Sequence, residues 1–186
     1  PEERPALSIG LFGEGEDFFT LKGAVESVIA LLGAEVDYER SQEPYLHPGR
    51  TARLLIGGKE AGVLGQLHPE TARRWGCPEN TFAAMLETEA LAAHTVDIPK
   101  NRELPKFPAV MRDLAVVLDR DVPAGHVERM IRERGGKALE SCSLFDCYIG
   151  AQVPEGKKSL AYALSFRDPA KTLTDEDVIN YMKKIL

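Results

Sequence analysis

The chain has 186 residues, of which 44% are hydrophobic and 28% charged, a composition typical of globular domains and unlike disordered, collagen-like or membrane proteins. No apolar run approaches the ~18 residues of a membrane span, and the amino terminus lacks the layout of a secretory signal, so we expect a cytoplasmic protein. The net charge of −6 argues against a nucleic-acid partner for the chain as a whole. However, residues 1–105 hold 10 basic and 17 acidic residues (−7), and residues 106–186 hold 13 and 12 (+1). The acidity therefore belongs to the first part.

The first part of the chain alternates helical and strand-like patterns. Apolar residues at helical spacing predict a helix from Thr20, as its N-cap, to Leu32, followed by a strand at 35–39. The segments ARLLI and AGVLGQL flank GGKE and predict a hairpin, because the paired glycines supply the positive φ of a tight reversal. PETARRWG predicts a short helix and TFAAMLE a further strand.

Three prolines within eleven residues of IPKNRELPKFPAV predict a linker at 99–106, between one module at 1–98 and another at 107–186. The second module shows a strand (RDLAVVLD), a helix with Pro123 near its start, two strands (LESCSLFDCYI and KKSLAYALSFRD) and a helix capped at Thr174. This order, β-α-β-β-α, lacks only the last strand of the ferredoxin-like pattern βαββαβ. The predicted fold class is α+β.

Strand alternation separates two faces of the second module's predicted sheet. In its third strand, Leu160, Tyr162, Leu164 and Phe166 share the face expected to meet the helices. The opposite face has small and polar residues with basic ends, which suits unstacked RNA bases but is equally typical of a solvated sheet face. Both interpretations stay open on the pattern alone.

The reactive side chains show no spacing of a metal or catalytic site. Cys142 and Cys147 lie an odd number of residues apart in a strand, which points them to opposite faces, and no CxxC or HxxxH pair occurs. We expect no metal site and no catalytic residue. Arg50 and Arg53 near the HPGR loop favour subunit contacts or a solvated rim over phosphate binding.

Residues 107–186, with FPAVMRDLAVVLDRDVPAGHV, LFDCYIG and PEGKKSLAYALSFRDPAKTLTDEDV, resemble the carboxy-terminal ferredoxin-fold anticodon-binding domain of bacterial phenylalanyl-tRNA synthetase beta subunits. The earlier stretches DFFTLKGAVESVI, YLHPGRTA and GVLGQLHPE resemble the later part of the synthetase-like core module of the same subunit. The chain thus resembles a piece of a longer protein, as its lack of an initiating Met also suggests.

The resemblance implies part of an α2β2 class II ligase that uses ATP and magnesium to attach phenylalanine to its tRNA. The expected partners are phenylalanine tRNA and the alpha subunit, with no DNA and no membrane. The catalytic site would lie on alpha, and the beta core module would be a non-catalytic interface, so we expect this chain to bind no cofactor itself.

Carried over by position, the resemblance implies tRNA contacts at Ala115, Tyr148 and Ser159. It also makes Lys157, Lys158 and Arg167 candidate phosphate or base contacts. Small side chains would let a base approach the sheet, and Tyr148 would offer a stacking surface. Strict alternation places Tyr148 with Leu144 on the covered face. Either a bulge turns it to the other side, or it packs in the core and has no role in RNA binding.

Two other hypotheses remain. The chain could be a free-standing interaction protein whose two modules are scaffolds without RNA. It could also be a small-molecule enzyme that uses His47, His68 and Cys77, which requires these side chains to converge in one cleft.

Overall fold

The computed structural model describes residues 5–93 and 104–186, which fall into two units, Pro1–Asn101 and Arg102–Leu186. Each unit has one sheet, and every strand pair is antiparallel. Helices pack on these sheets, which confirms the α+β class. The module bounds and the linker at 99–106 stay predictions, because residues 94–103 lie outside the described part. Within that part, no helix is long and apolar enough to cross a bilayer.

The first unit is a five-stranded sheet with helices. Its elements are β1 (Ala6–Phe12), α1 (Phe18–Leu31), β2 (Val36–Arg40), β3 (Leu46–Ile56), β4 (Lys59–Leu67), α2 (Pro69–Trp75), β5 (Thr81–Glu87) and α3 (Thr88–Ala92). The strand order is β1-β5-β4-β3-β2. The predicted helices, hairpin and strands are confirmed, whereas β1 and α3 were not predicted. Five residues are too few for α3 to show a helical period.

Helix α1 begins earlier than its apolar pattern indicates. The N-cap is Asp17, whose carboxylate accepts a hydrogen bond from the Thr20 backbone N–H at 2.8 Å, so the prediction of Thr20 as the cap is wrong. Leu21, Val25 and Ile29, spaced by four residues, are fully or almost fully buried. The carboxylate cap gives one free N–H group of the first turn a hydrogen-bond partner, and the helix therefore begins before its apolar stripe.

The reversal between β3 and β4 depends on paired glycines, as predicted. Gly57 and Gly58 have φ values of 57° and 78°, a region that side-chain-bearing residues rarely adopt. Gly62, further along β4, is required for a different reason. A Cβ there would lie 2.3 Å from the carbonyl oxygen of Met85 on β5, so glycine permits the close approach of the two strands.

The second unit has the predicted β-α-β-β-α order. Its elements are β6 (Val110–Asp119), α4 (Ala124–Gly135), a 3₁₀ turn (Gly136–Ala138), β7 (Leu139–Tyr148), β8 (Lys157–Phe166) and α5 (Asp175–Ile185). The strand order is β6-β8-β7, so β8 is central. A fourth strand is not among the described residues, and β6 and β7 form the two edges of this sheet.

The core of the second unit lies between the sheet and its two helices. Leu160, Tyr162, Leu164 and Phe166 on β8 are all 0% exposed, which confirms the face predicted by alternation. They pack with Ile131 of α4 and with Val178 and Ile185 of α5. The Tyr162 hydroxyl donates a hydrogen bond to the Ala124 carbonyl at 2.9 Å. A buried phenol needs such a partner, and this one ties β8 to the start of α4.

Candidate nucleic-acid interface

The face of the second sheet opposite α4 and α5, here called the open face, has a floor of small side chains. Its cross-strand rows, from β6 through β8 to β7, are Met111–Ser165–Ser141, Asp113–Ala163–Ser143, Ala115–Ala161–Asp146 and Val117–Ser159–Tyr148. Alanine and serine fill the centre, while Met111 and Val117 are exposed apolar side chains towards the ends. A planar group can therefore approach the middle of the sheet without steric obstruction.

A bulge in β7 turns Tyr148 onto this face. Leu144 lies opposite Tyr162, but Asp146 already lies opposite Ala161, so Phe145 is an extra residue in the ladder. Because side chains alternate, one inserted residue exchanges the faces of everything that follows. Tyr148 thus lies opposite Ser159 on the open face and is 39% exposed. Of the two alternatives that the sequence left open, the bulge is the one observed.

The ring of Tyr148 is seated over the backbone of the next turn. A Cβ on Gly150 would lie 2.4 Å from the Tyr148 hydroxyl oxygen and 2.6 Å from Cζ, closer than real Cβ contacts allow. The Gly150 carbonyl accepts a hydrogen bond from the Val153 N–H at 3.0 Å, which closes the turn. The absence of a side chain at Gly150 therefore makes room for the ring.

The two cations of this face are paired with acids and lie far apart. Lys157 Nζ is 2.8 Å from Asp119 Oδ1, and Arg167 Nε is 3.0 Å from each carboxylate oxygen of Glu140. Ten residues of extended chain separate them, roughly 33 Å at the usual strand rise. One nucleotide cannot reach both, and each cation is already neutralised within the protein.

Lys158 lies on the other side of the sheet from its neighbours Lys157 and Ser159. It is opposite Leu118 and shares the parity of Leu160, which belongs to the helix-covered face. The structure thus brings Ala115, Tyr148, Ser159 and Lys157 onto one face, places Arg167 at its far end, and leaves Lys158 on the other side. A contact from Lys158 to RNA stays a prediction, and it would have to be made around the end of the strand.

Two carboxylates on the open face were not among the predicted contacts. Asp113 on β6 and Asp146 on β7 are both exposed, in the two central rows beside Ala163 and Ala161. Alternation along β6 was enough to place Asp113 outward, but the face of Asp146 depends on the bulge. A carboxylate accepts hydrogen bonds from base N–H groups and repels phosphates, so the centre of the face suits base edges better than backbone.

The side chains proposed for a small-molecule enzyme (His47, His68 and Cys77) and the two arginines near the HPGR loop have local partners in the first unit; that of the Cys77 thiol is the Trp75 carbonyl, at 4.0 Å. His47 Nδ1 accepts from the Gly49 N–H at 3.0 Å, and His68 Nδ1 accepts from the Glu70 N–H at 3.3 Å at the start of α2. Arg50 donates to Gln66 at 2.7 Å, and Arg53 donates from Nε to Glu39 at 3.0 Å. In residues 5–93 and 104–186, no group of three or more His, Cys, Asp or Glu side chains could hold a metal ion.

Comparison with family models assigns both parts of the chain. Residues 105–186 match the ferredoxin-fold anticodon binding domain, and residues 1–88 match the CLM domain of the phenylalanyl tRNA synthetase beta chain. The matches follow one another with only a short interval, in the order in which the two units occur.

Curated relatives resemble the chain over most or all of its length. Phenylalanine–tRNA ligase beta subunit of Clostridium acetobutylicum is 41% identical over 188 residues, covering 100% of this chain and 24% of the relative. The subunit of Symbiobacterium thermophilum is 48% identical over 163 residues, covering 87% and 18%. That of Moorella thermoacetica is 45% identical over 164 residues, covering 87% and 20%. The chain spans at most about a quarter of the length of these relatives.

Proposed function

The chain belongs to the phenylalanyl-tRNA synthetase beta-subunit family, matching its carboxy-terminal portion, and on this premise we propose that its second unit binds the anticodon region of phenylalanine tRNA through the open face. This binding supports ATP-dependent attachment of phenylalanine to the tRNA. The anticodon bases, unstacked, lie on the floor of small side chains.

The observation that carries this proposal is the row Val117–Ser159–Tyr148. It presents an aromatic ring, a hydroxyl and an apolar side chain together on an otherwise low surface. A base stacked on Tyr148 could accept or donate a hydrogen bond at Ser159, and the exposed Asp146 carboxylate in the next row is an acceptor for base N–H groups. Stacking and hydrogen bonding in the same place are the combination by which sheet-based RNA modules bind bases.

The charge distribution supports binding through bases more than through phosphates. Lys157 and Arg167 are both ion-paired, and Asp113 and Asp146 add negative charge to the centre. A partner held here gains little from counterion release along the middle of the face. The isolated chain is therefore expected to bind tRNA weakly, with the rest of its affinity supplied elsewhere in the complete enzyme.

For the first unit we propose a non-catalytic role as an interface with the alpha subunit of an α2β2 ligase in the cytoplasm. ATP and magnesium would act at a site on alpha, with no catalytic side chain from this chain. The local hydrogen bonds of His47 and His68 and the ion pair of Arg53 support a structural role for these residues.

The experiment that tests RNA binding compares Tyr148→Ala with Tyr45→Ala. The two tyrosines are almost equally exposed, at 39% and 40%, but Tyr45 belongs to the first unit. Loss of one stacking platform costs about 1–3 kcal/mol, so Tyr148→Ala should weaken binding of phenylalanine tRNA by about 5- to 150-fold. Tyr45→Ala should leave the affinity unchanged.

A scaffold without RNA binding makes the opposite prediction. In that case the two tyrosine variants would bind tRNA alike, or the unmodified chain would show no preference for phenylalanine tRNA over an unrelated tRNA. Either result, measured by fluorescence anisotropy with labelled tRNA, would favour the interaction protein.

A further inference from the structure

A cleft at the end of the second unit's sheet brings three cations together. Its volume is about 340 Å³, and its charged lining consists of Lys106, Lys137, Arg167, Glu140 and Asp168. We call it the Lys106 cleft. All of these residues belong to the second unit, and Arg167 directly follows β8. The formal charge of the lining is +1, in a unit whose cations are mostly offset by acids.

Both carboxylates of the cleft already have partners inside the protein. Glu140 accepts from Arg167 Nε at 3.0 Å through each oxygen and from the Ser165 hydroxyl at 3.3 Å. Asp168 Oδ1 accepts from the Ala170 N–H at 2.8 Å. These carboxylates are therefore engaged in holding the walls of the cleft, and Glu140 in addition fixes the plane of the Arg167 guanidinium.

Hydrogen bonds to Glu140 and Phe107 orient the Arg167 guanidinium and leave some of its N–H donors free. Its Nη1 donates to the Phe107 carbonyl at 2.5 Å, and its Nε is taken by Glu140. A guanidinium has five N–H donors in a fixed fork, and the two on Nη2 have no acceptor among the described residues. An oriented guanidinium with free donors suits an oxyanion, because little side-chain entropy remains to be lost on binding.

The two lysines of the cleft differ from Lys157 and Lys171 of the same unit. Lys157 is 2.8 Å from Asp119, and Lys171 is 2.8 Å from Asp177. Lys106 and Lys137 are exposed and form no ion pair with the residues that the structure describes. Their ammonium groups are thus available for an anion in the cleft, and both lysine and arginine are common ligands of phosphate groups.

The position of the cleft connects it to the open face. Arg167 lies eight residues along the chain from Ser159, roughly 26 Å at the usual strand rise, and alternation places it on the same side of the sheet. Single-stranded RNA that lies on the sheet spans such a distance with several nucleotides. The cleft is at the correct side of the sheet to meet the backbone of an RNA whose base lies at Tyr148.

We propose that the Lys106 cleft binds a phosphodiester group of the same tRNA, as a second contact separate from the base-binding row. This inference rests on the proposed tRNA binding by the open face. It assigns the two contacts different chemistry. At Tyr148 the contact is stacking and hydrogen bonding, and at the cleft it is charge neutralisation by Lys106 and Lys137 with hydrogen bonds from Arg167, whose own charge is paired with Glu140.

The test uses the whole chain and labelled phenylalanine tRNA over a series of salt concentrations. Lys106→Ala/Lys137→Ala should weaken binding several-fold at low salt and make the slope of log K against log[salt] shallower by about 1–2. The matched control is Lys183→Ala/Lys184→Ala, which removes the same charge from exposed positions on α5. Its slope should equal that of the unmodified chain.

The outcomes separate the cleft from the proposed function. Equal slopes for the two double variants, or an unchanged slope for the cleft variant, would overturn the phosphate contact even while Tyr148→Ala still weakens binding. No tRNA binding by the unmodified chain would overturn both. A free phosphate ion is the other source of this chemistry. If inorganic phosphate binds saturably, the cleft variant loses this binding and its tRNA affinity is unchanged, then the ligand of the cleft is the free ion and not the RNA backbone.

Discussion

Gly150 determines where the ring of Tyr148 can lie. Because a Cβ at this position would be 2.4 Å from the Tyr148 hydroxyl oxygen, Gly150→Ala should displace the ring from the turn. We expect this variant to lower tRNA affinity to the same extent as Tyr148→Ala. In a chain that already carries Tyr148→Ala, the glycine change should have no further effect, since the clash is gone. Anisotropy with labelled tRNA measures all three variants.

The control for this cycle is Gly125→Ala in α4, where an added Cβ meets no atom within 4 Å. It should leave tRNA affinity unchanged and raise thermal stability slightly, because alanine favours a helix more than glycine does. Additive losses from Gly150→Ala and Tyr148→Ala would show that the glycine does not act through the ring.

The bulge in β7 gives Cys142 and Cys147 the same parity, opposite Leu164 and Leu160, so the prediction that they point to opposite faces is wrong. The two cysteines should nevertheless differ in reactivity. Burial raises the pKa of the Cys142 thiol to about 11, whereas Cys147 is exposed. Since the thiolate is the reactive species, iodoacetamide at pH 8 should label Cys147 in the folded chain and leave Cys142 unmodified. In guanidinium chloride both should react. Peptide mass spectrometry follows each site, and equal labelling of the two thiols in the folded chain would contradict the burial of Cys142.

At the scale of elements, α5 begins with a capping box that predicts a pH dependence of stability. Thr174 and Asp177 cap each other's backbone N–H groups, and Lys171 is 2.8 Å from Asp177. The hydrogen bond from Lys171, followed by those from Thr174, lowers the pKa of Asp177 from 3.8 to about 2. A lowered carboxyl pKa stabilises the folded state above the unfolded pKa, and the effect is lost as pH falls through the folded value.

Asp177→Asn should therefore lower Tm near neutral pH, and its difference from the unmodified chain should shrink between about pH 4 and pH 2. Circular dichroism melts across this range measure it. Glu176→Gln removes one charge from the same turn without breaking the box, so its effect on Tm should be smaller. A difference for Asp177→Asn that stays constant down to pH 2 would mean that the carboxylate has no role in the cap.

The elements show which features a sequence can reveal. Alternation predicted the buried face of β8, because side-chain direction along a strand is a local property. The bulge at Phe145 follows from how β7 pairs with β8, and no local pattern marks it. Glu140 and Arg167 pair although they are 27 residues apart in sequence. The sequence could therefore predict a basic end of the open face, but not that an acid neutralises it. β1 alternates Leu7, Ile9 and Leu11, a usable signal that was missed.

At the scale of the molecule, net charge is a poor guide to function. The chain carries −6 overall, yet the second unit has nearly equal numbers of acids and bases and arranges them unevenly. Ion pairs with neighbouring acids neutralise Lys157 and Arg167. The lining of the Lys106 cleft nevertheless keeps a net positive charge. Under the proposed function, base contacts rather than neutralised phosphates supply most of the binding free energy, which is compatible with an acidic chain.

The two units have separate buried clusters, and this predicts independent responses to core mutations. Leu54 belongs to the cluster of the first unit and Leu164 to that of the second, each 0% exposed, and the clusters share no residue. Truncation of either leucine to alanine should cost about 2–5 kcal/mol of unfolding free energy in its own unit. Hydrogen exchange should then accelerate in only one of the ranges 5–93 and 104–186.

The two core variants should also differ in how they affect tRNA binding. Because the proposed open face belongs to the second unit, Leu164→Ala should lower the temperature at which tRNA affinity is lost, whereas Leu54→Ala should not. An equal loss in both variants, or faster exchange throughout the chain from either one, would mean that the units unfold as one. The RNA surface would then depend on the stability of the first unit as well as its own.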